Sequence, residues 1–300
     1  MIGKTRHLSA PAAAAAPLPR EQFGQGCGTL QPASAPDSYR HTRYASGLVL
    51  AGWVRHFWIE TWDLGGAAPQ YREILPHPCV NLVFVPGRSK VFGVQLGRFV
   101  RELRGRGCVV GAKFRPGAFH SFLGGPVSSI ADRALPLEGL FAGTAEVERE
   151  IFAGDGGAAM VEAAARFLAD RLPAPDPLAE MACAIVERVA ADKEITRVEH
   201  IMARWEMGER ALQRLFARYV GVSARWVIKR YRVYEALERL HSNDQCDWAH
   251  LALELGYFDQ AHFINDFRKL VGSTPADYRR ACRSPLPSRA AEGSTSTLPV

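Results

Sequence analysis

The sequence predicts an α+β chain: a β-rich first half built as a cupin-like barrel, then an all-α last third with two helix-turn-helix units. Three observations carry this. From about Tyr39 to Leu140, short apolar runs recur between Pro and Gly at the roughly 8–12-residue spacing of a sandwich or barrel. Beyond Pro177 the apolar residues recur at helical spacing instead. From Arg210 to Tyr234 there are seven basic residues (Arg210, Arg214, Arg218, Arg225, Lys229, Arg230 and Arg232) and no acidic one before Glu235, in a chain whose net charge is only +6. That local asymmetry points to a polyanionic partner more sharply than the bulk charge does.

The 300 residues suit about two domains. Residues 1–36 are rich in Ala, Pro, Gly and Ser, and too poor in large apolar side chains to offset their ordering entropy. A disordered extension is expected there. The β-rich domain then spans 37–172. Its strand-like runs are Gly52 to Ile59, Cys79 to Val85, Val91 to Leu96 and Cys108 to Phe114. Two helices, Thr144 to Phe152 and Ala158 to Leu172, close it, and Pro173, Pro175 and Pro177 mark a linker. The helical domain spans 173–283, and 284–300 reads as a disordered tail.

No apolar run approaches the ~18 residues needed to span a bilayer, so no membrane association is expected. Lys4, Arg6 and an alanine run imitate the start of a secretory leader, but Pro11, Pro17 and Pro19 break it. The cysteines Cys27, Cys79, Cys108, Cys183, Cys246 and Cys282 form no CxxC pair. Neither zinc nor a disulfide framework is indicated, and the expected compartment is the reducing cytoplasm.

In the helical domain, Leu178, Met181, Ile185 and Val189 are expected to share the apolar face of a first helix. Thr196 with Glu199 fits a capping box for the next. Helices over Trp226 to His241 and Trp248 to Leu255 follow, and Thr274-Pro275 opens a last one.

The second helix-turn-helix unit, Asp247 to Val271, is the more legible. Trp248, Leu251, Ala252 and Leu255 form one stripe. Gly256 suits the left-handed residue after a helix, and Asp259 suits an N-cap. At about 100° per residue, Phe263, Ile264, Phe267, Leu270 and Val271 gather on one side of the next helix. Ala261, His262, Asn265, Arg268 and Lys269 gather on the other. In the first unit, Leu212, Leu215, Phe216 and Tyr219 pack, while Arg210, Gln213, Arg214, Ala217 and Arg218 face away. Arg pairs bidentately with guanine and Gln with adenine, so such faces suit a major groove. Any single basic helix face is more often merely solvated; two in succession, joined by one long helix, change that balance.

At these residues the chain resembles the AraC/XylS family of transcription regulators. The stretch Ala252-x3-Gly256-x6-Phe263-x3-Phe267-x4-Gly272-x2-Pro275-x2-Tyr278-Arg279 is similar to the family's signature. Leu212-Gln213-Arg214-Leu215-Phe216, Gly221-Val222-Ser223 and Arg232-Val233-x2-Ala236 are similar to its first unit and linker helix. The resemblance implies base reading by Arg210, Gln213 and Arg214, then by Gln260, Ala261, His262 and Asn265. Arg218, Lys229, Arg268 and Lys269 are available for phosphates. Three positions depart from the pattern: Glu206 stands for the usual turn glycine, Gly208 for the usual capping serine, and Asn265 for a basic residue. Leu75-Pro76-x2-Cys79-Val80-Asn81 and Val109-Val110-Gly111-x2-Phe114-Arg115-Pro116-Gly117 resemble, less sharply, a sensor domain found in a subset of the family.

The implied function is a sequence-specific DNA-binding regulator, activator or repressor, that is not an enzyme and needs no cofactor. Two recognition helices would enter successive major grooves about 34 Å apart, with occupancy tuned by the N-terminal domain. Double-stranded DNA, RNA polymerase and a small-molecule effector are the implied partners, acting on a monomer or homodimer. An alternative makes the first half a metal-binding or enzymatic cupin-like barrel fused to the DNA-binding module. Its candidate ligands are His56, Glu60, His77 and His120, whose spacing forces no cluster. A DNA-repair reading would need an activated cysteine thiolate, and the cysteines lie in apolar or Gly-rich surroundings. No effector residues are identifiable, though His77 and Arg115 are weak pocket candidates. Arg98, Arg101, Arg104 and Arg106 suit a phosphorylated effector or, on the plainer reading, a solvated strand-and-loop segment.

Overall fold

The computed structural model describes residues 17–18, 30, 38–242, 247–283 and 296–297. The expected disordered ends, 1–36 and 284–300, lie outside them except at those few positions. There, Leu18 donates to the Arg43 carbonyl and buried Leu30 to that of Glu73.

The first half is two facing sheets. Strands β1 (Tyr39–Tyr44) and β2 (Val54–Asp63) flank helix α1 (Gly47–Leu50); β3 (Gln70–Ile74), β4 (Asn81–Phe84), β5 (Lys90–Phe92), β6 (Phe99–Leu103) and β7 (Arg106–Phe114) follow. Helix α2 (His120–Leu123), a 3-10 turn (Val127–Ile130) and β8 (Ala134–Pro136) complete this half. The larger sheet runs β1-β2-β7-β4-β5-β8. The smaller pairs β3 with β6, and Ser296–Thr297 adds a two-residue strand, β9, parallel to β6. Each expected apolar run overlaps a strand, although Val91 to Leu96 contributes only its first two residues to β5.

Period-two alternation explains both faces of the larger sheet. Phe57, Ile59, Leu82, Phe84, Val110, Ala112 and Phe114 join one core with residues of α3 (Thr144–Ala153) and α4 (Gly157–Ala169). Phe84 meets Phe167 of α4 edge-on at 5.9 Å. The intervening residues, His56, Trp58 and Glu60 on β2 and Lys113 on β7, point the other way, into a cavity that β3 and β6 close from the opposite side. Gly111 lies opposite Trp58, and a Cβ there would come within 2.1 Å of the indole, so glycine is what lets that ring lie flat across β7.

The second half is helical: α5 (Pro177–Ala191), α6 (Val198–Arg204), α7 (Glu209–Leu215) continued by a π-type turn (Phe216–Val220), α8 (Ala224–Ser242), α9 (Trp248–Glu254), α10 (Gln260–Val271) and α11 (Pro275–Arg283). Asp176 caps α5 by accepting from the Leu178 amide, with Pro177 at the first helical position. Leu75 and Val94 of the β-rich half belong to the helical core, so the two halves share one packed interface.

Four expectations are corrected. Leu178 and Met181 are exposed; α5 buries Ala179, Ala182, Ile185, Val186 and Val189, because the small alanines let α5 pack closely where longer side chains could not. Thr196 and Glu199 form no capping box: Arg197 is the N-cap, and Thr196 packs on Gly256 instead. Arg101 is buried, and Arg98 is half-buried and paired with Glu73 at 3.1 Å; only Arg104 and Arg106 are exposed. Arg230 and Arg232, counted in the basic stretch, are buried interface and core residues, so they add nothing to its exposed charge. The amphipathic reading of the sequence could not see carbonyl acceptors contributed by distant segments.

Candidate nucleic-acid interface and the cavity behind it

The second recognition helix, α10, begins as its sequence dictates. Gly256 takes φ +80 after α9, and a Cβ there would strike Thr196 at 2.5 Å. The Asp259 side chain accepts the His262 amide at 2.7 Å, satisfying one of the helix's free donors. Phe263, Phe267 and Val271 are buried, with Ile264 and Leu270 partly so. Gln260, Ala261, His262, Asn265, Arg268 and Lys269 are all exposed. Several of them are tied to neighbours. His262 Nε2 lies 3.4 Å from Asp266, which also pairs with Lys229 at 2.5 Å, and Arg268 reaches Asn265 at 3.5 Å. Lys229 therefore anchors α8 to α10.

The first recognition helix is built less economically. Glu206 takes φ +48 in the turn before it, a left-handed conformation that costs a side-chain-bearing residue about 1–2 kcal/mol. Gly208 is the N-cap and supplies no side-chain acceptor. Leu212, Leu215, Phe216 and Tyr219 are buried, while Arg210, Gln213, Arg214, Ala217 and Arg218 are exposed. Gln213 donates to Glu209 at 3.0 Å. Arg210 and Arg214 hold no ion pair or hydrogen bond among the described residues.

Arg218 is different. Its Nε contacts His120 Nε2 of α2 at 3.2 Å, and the His120 ring meets Tyr219 edge-on at 4.5 Å. The β-rich half thus grips the end of this recognition helix. It grips the second helix at the equivalent place. Gly221 and Gly272 end the two helices at φ +92 and φ +90; the first lies against Val127 and the second against the Arg98 guanidinium. Between these two points, α8 is held in the middle. Arg230 donates to the Leu96 carbonyl at 2.6 Å, Tyr234 donates to the Leu75 carbonyl, and His77 stacks on Tyr234 at 4.3 Å. Arg115 and Glu187 of α5 add a bidentate pair at 3.1 and 2.9 Å.

Leu75 and His77 also line the cavity, of about 170 Å³, between the two sheets. Trp58, Ile74, Val83, Phe92 and Phe99 supply apolar wall. Glu60 is the cavity's carboxylate and is already bound to Arg101 and, at 3.1 Å, to His41; these partners overcome burial and hold it at about 2. Burial pushes His56 down to about 2, and burial likewise lowers His77 well below its ordinary value. His77 is thus a pocket residue as expected; Arg115 belongs to the interface instead. Sequence reasoning missed Lys113 in the cavity, while Arg101, named as a possible effector contact, does line it. The alternation of polar His56, Trp58 and Glu60 with apolar Phe57 and Ile59 was the available signal.

The competing readings find little support in this geometry. His56, Glu60 and His77 line one cavity and His120 lies outside it, but no group of three side chains placed to hold a metal ion occurs among the described residues. Burial raises the thiols of Cys79 and Cys108, and that of Cys183 to about 12, the opposite of an activated nucleophile. No helix among the described residues is long and apolar enough to cross a membrane.

Comparison with known proteins agrees with the geometry. Residues 201–281 match a helix-turn-helix domain family, and residues 42–136 match a domain of unknown function (DUF6597). Solved structures of ToxT from Vibrio cholerae are similar at low identity. The apo form is 14% identical over 75% of this chain and 97% of that one, with a TM-score of 0.38. A fatty-acid-bound form is 13% identical over 83% and 97%, with a TM-score of 0.31. Values this low add nothing to the domain match. The chain is a helix-turn-helix DNA-binding transcription regulator. Its residues 201–281 are an AraC-type helix-turn-helix domain, in line with the family resemblance of the sequence.

Proposed function

We propose that each chain reads a non-palindromic duplex site with two unlike recognition helices in successive major grooves. Arg210, Gln213 and Arg214 read bases in one groove; Gln260, Ala261, His262 and Asn265 read the other. Arg218, Arg268 and Lys269 bind phosphates. The carrying observation is that, among the described residues, Arg210 and Arg214 stand exposed on α7 with no ion pair or hydrogen bond, whereas Lys229, Arg230, Arg232 and Arg239 of α8 are committed to carbonyls or carboxylates. A guanidinium with no protein partner is available for the bidentate guanine contact.

The β-rich half tunes occupancy. It touches the ends of both recognition helices and the middle of α8, so a shift in it changes the angle or spacing of the two readers together. A small-molecule effector in the cavity would act on this contact, because Leu75 and His77 are both cavity wall and seat of Tyr234. Releasing Arg218 from His120 would add a phosphate contact. One chain per site suffices for this reading, with RNA polymerase as the downstream partner.

Selection of duplexes from a random pool by the full chain, at two salt concentrations, tests the proposal. Two unlike sequence blocks about one helical turn apart are expected, with affinity falling steeply as salt rises. Salt-sensitive binding without sequence preference would defeat it.

A further inference from the structure

The cavity between the sheets carries a charge imbalance that points to its occupant, and the inference rests on the reading of that cavity as an effector site. Its lining includes Arg43, Arg88, Lys90, Arg101 and Lys113 against the single carboxylate of Glu60. Glu60 is spoken for by Arg101 and His41. It also sits four residues along β2 from His56, about 13 Å at the usual rise, whereas Lys113 lies directly opposite His56 and Asn81. The Glu60 charge therefore does not serve Lys113.

Lys113 makes no hydrogen bond or ion pair among the described residues. Burial draws its ammonium down to about 8, which still leaves it protonated at neutral pH. A half-buried cation with no counter-ion is a costly arrangement in an empty site and a favourable one beside an anion.

Part of the cavity wall is aromatic and apolar. Trp58 lies across Gly111, and Phe92 and Phe99 meet edge-on at 6.1 Å. An apolar cavity of about 150 Å³ holds one benzene ring. A volume of about 170 Å³ is therefore matched to one ring with a small substituent, rather than to a long alkyl chain.

We propose that the cavity takes a compact aromatic carboxylate, with its ring among Trp58, Phe92 and Phe99 and its anionic group on the Lys113 ammonium. Binding such a ligand places its load beside Asn81 and His77, the latter stacked on Tyr234 of α8. The site thus joins ligand charge directly to the contact that holds the DNA-binding half.

Calorimetric titration of the full chain with benzoate, benzamide and dodecanoate tests the class. Benzoate is expected to bind about 10- to 100-fold more tightly than benzamide, the range a charge-assisted hydrogen bond supplies. Dodecanoate should be weaker than benzoate. In Lys113→Met, which keeps the side-chain length and removes the charge, the preference for benzoate over benzamide should vanish. Equal binding of benzamide and benzoate in the natural sequence, tighter binding of dodecanoate, or absence of benzoate binding would each overturn the proposal. A cavity-filling Val83→Trp variant, read by DNA affinity, separates this failure from that of the underlying reading. If it alters DNA affinity while benzoate does not bind, only the ligand class falls. If it leaves DNA affinity unchanged, the cavity is not coupled to the readers and the underlying reading falls, while the titrations alone decide the ligand class.

Discussion

The two helix-turn-helix units divide their strengths in opposite ways. The second has the better architecture: Gly256 takes the left-handed turn position without strain, and Asp259 caps α10 with its side chain. Its outer face, however, is mostly small or neutral, and His262 and Arg268 are partly engaged with Asp266 and Asn265. The first unit has a strained Glu206, a cap with no side chain and a widened final turn, yet it presents Arg210 and Arg214 unencumbered. The difference teaches that legibility of a motif and strength of its readout are separate properties. A sequence can spend its ideal turn residues in one unit and its best base-reading side chains in the other.

Four substitutions sharpen or break that contrast, from the largest expected effect to the smallest. Arg214→Ala should cost about 1–3 kcal/mol of discrimination at one base position, seen as a degraded block in selected sites with stability unchanged. Gly256→Ala forces a Cβ into the left-handed region and against Thr196, and should lower stability by about 1–2 kcal/mol or more in denaturant unfolding. Asp259→Ala removes the cap of α10 and should cost about 1 kcal/mol. Glu206→Gly relieves the left-handed strain and should raise stability by up to about 1 kcal/mol, part of the gain being returned as chain entropy in the unfolded state. The last two changes have opposite signs in equivalent stretches of the two units. Finding the same sign for both would break the contrast.

How much of this was legible varies by element. The second unit was readable almost entirely, because its cap, turn glycine and apolar stripe are local features. The strands were readable where both faces are buried, as in Cys108 to Phe114, but β3 and β6 were not singled out. Their sequences, Gln-Tyr-Arg-Glu-Ile and Phe-Val-Arg-Glu-Leu, place buried Arg72 and Arg101 opposite each other in strands where sequence logic expects solvent. Those arginines are tolerated through aromatic faces, Tyr39 at 4.4 Å and Trp62 at 4.8 Å, and through Glu60, which come from other strands. Arg230 and Arg232 were misread for the same reason. Arg230 lies over Trp226 and binds the Leu96 carbonyl, while Arg232 binds Glu235 and the Val189 carbonyl. Arg210, Gln213 and Arg214 lie on the face the periodicity assigned them, since exposure on a short helix depends on local angles alone. The grip of His120, Val127 and Arg98 on the recognition helices had no local signature at all.

The most direct test of the division between the units compares Arg214→Ala and His262→Ala on one selected site of the full chain, block by block. Arg214→Ala should erase preference in the first block and weaken binding about 10- to 100-fold, with His262→Ala changing the second block by only a few-fold. Equal losses from both, or a larger loss from His262→Ala, would contradict the proposal that the less ideal unit carries the stronger readout.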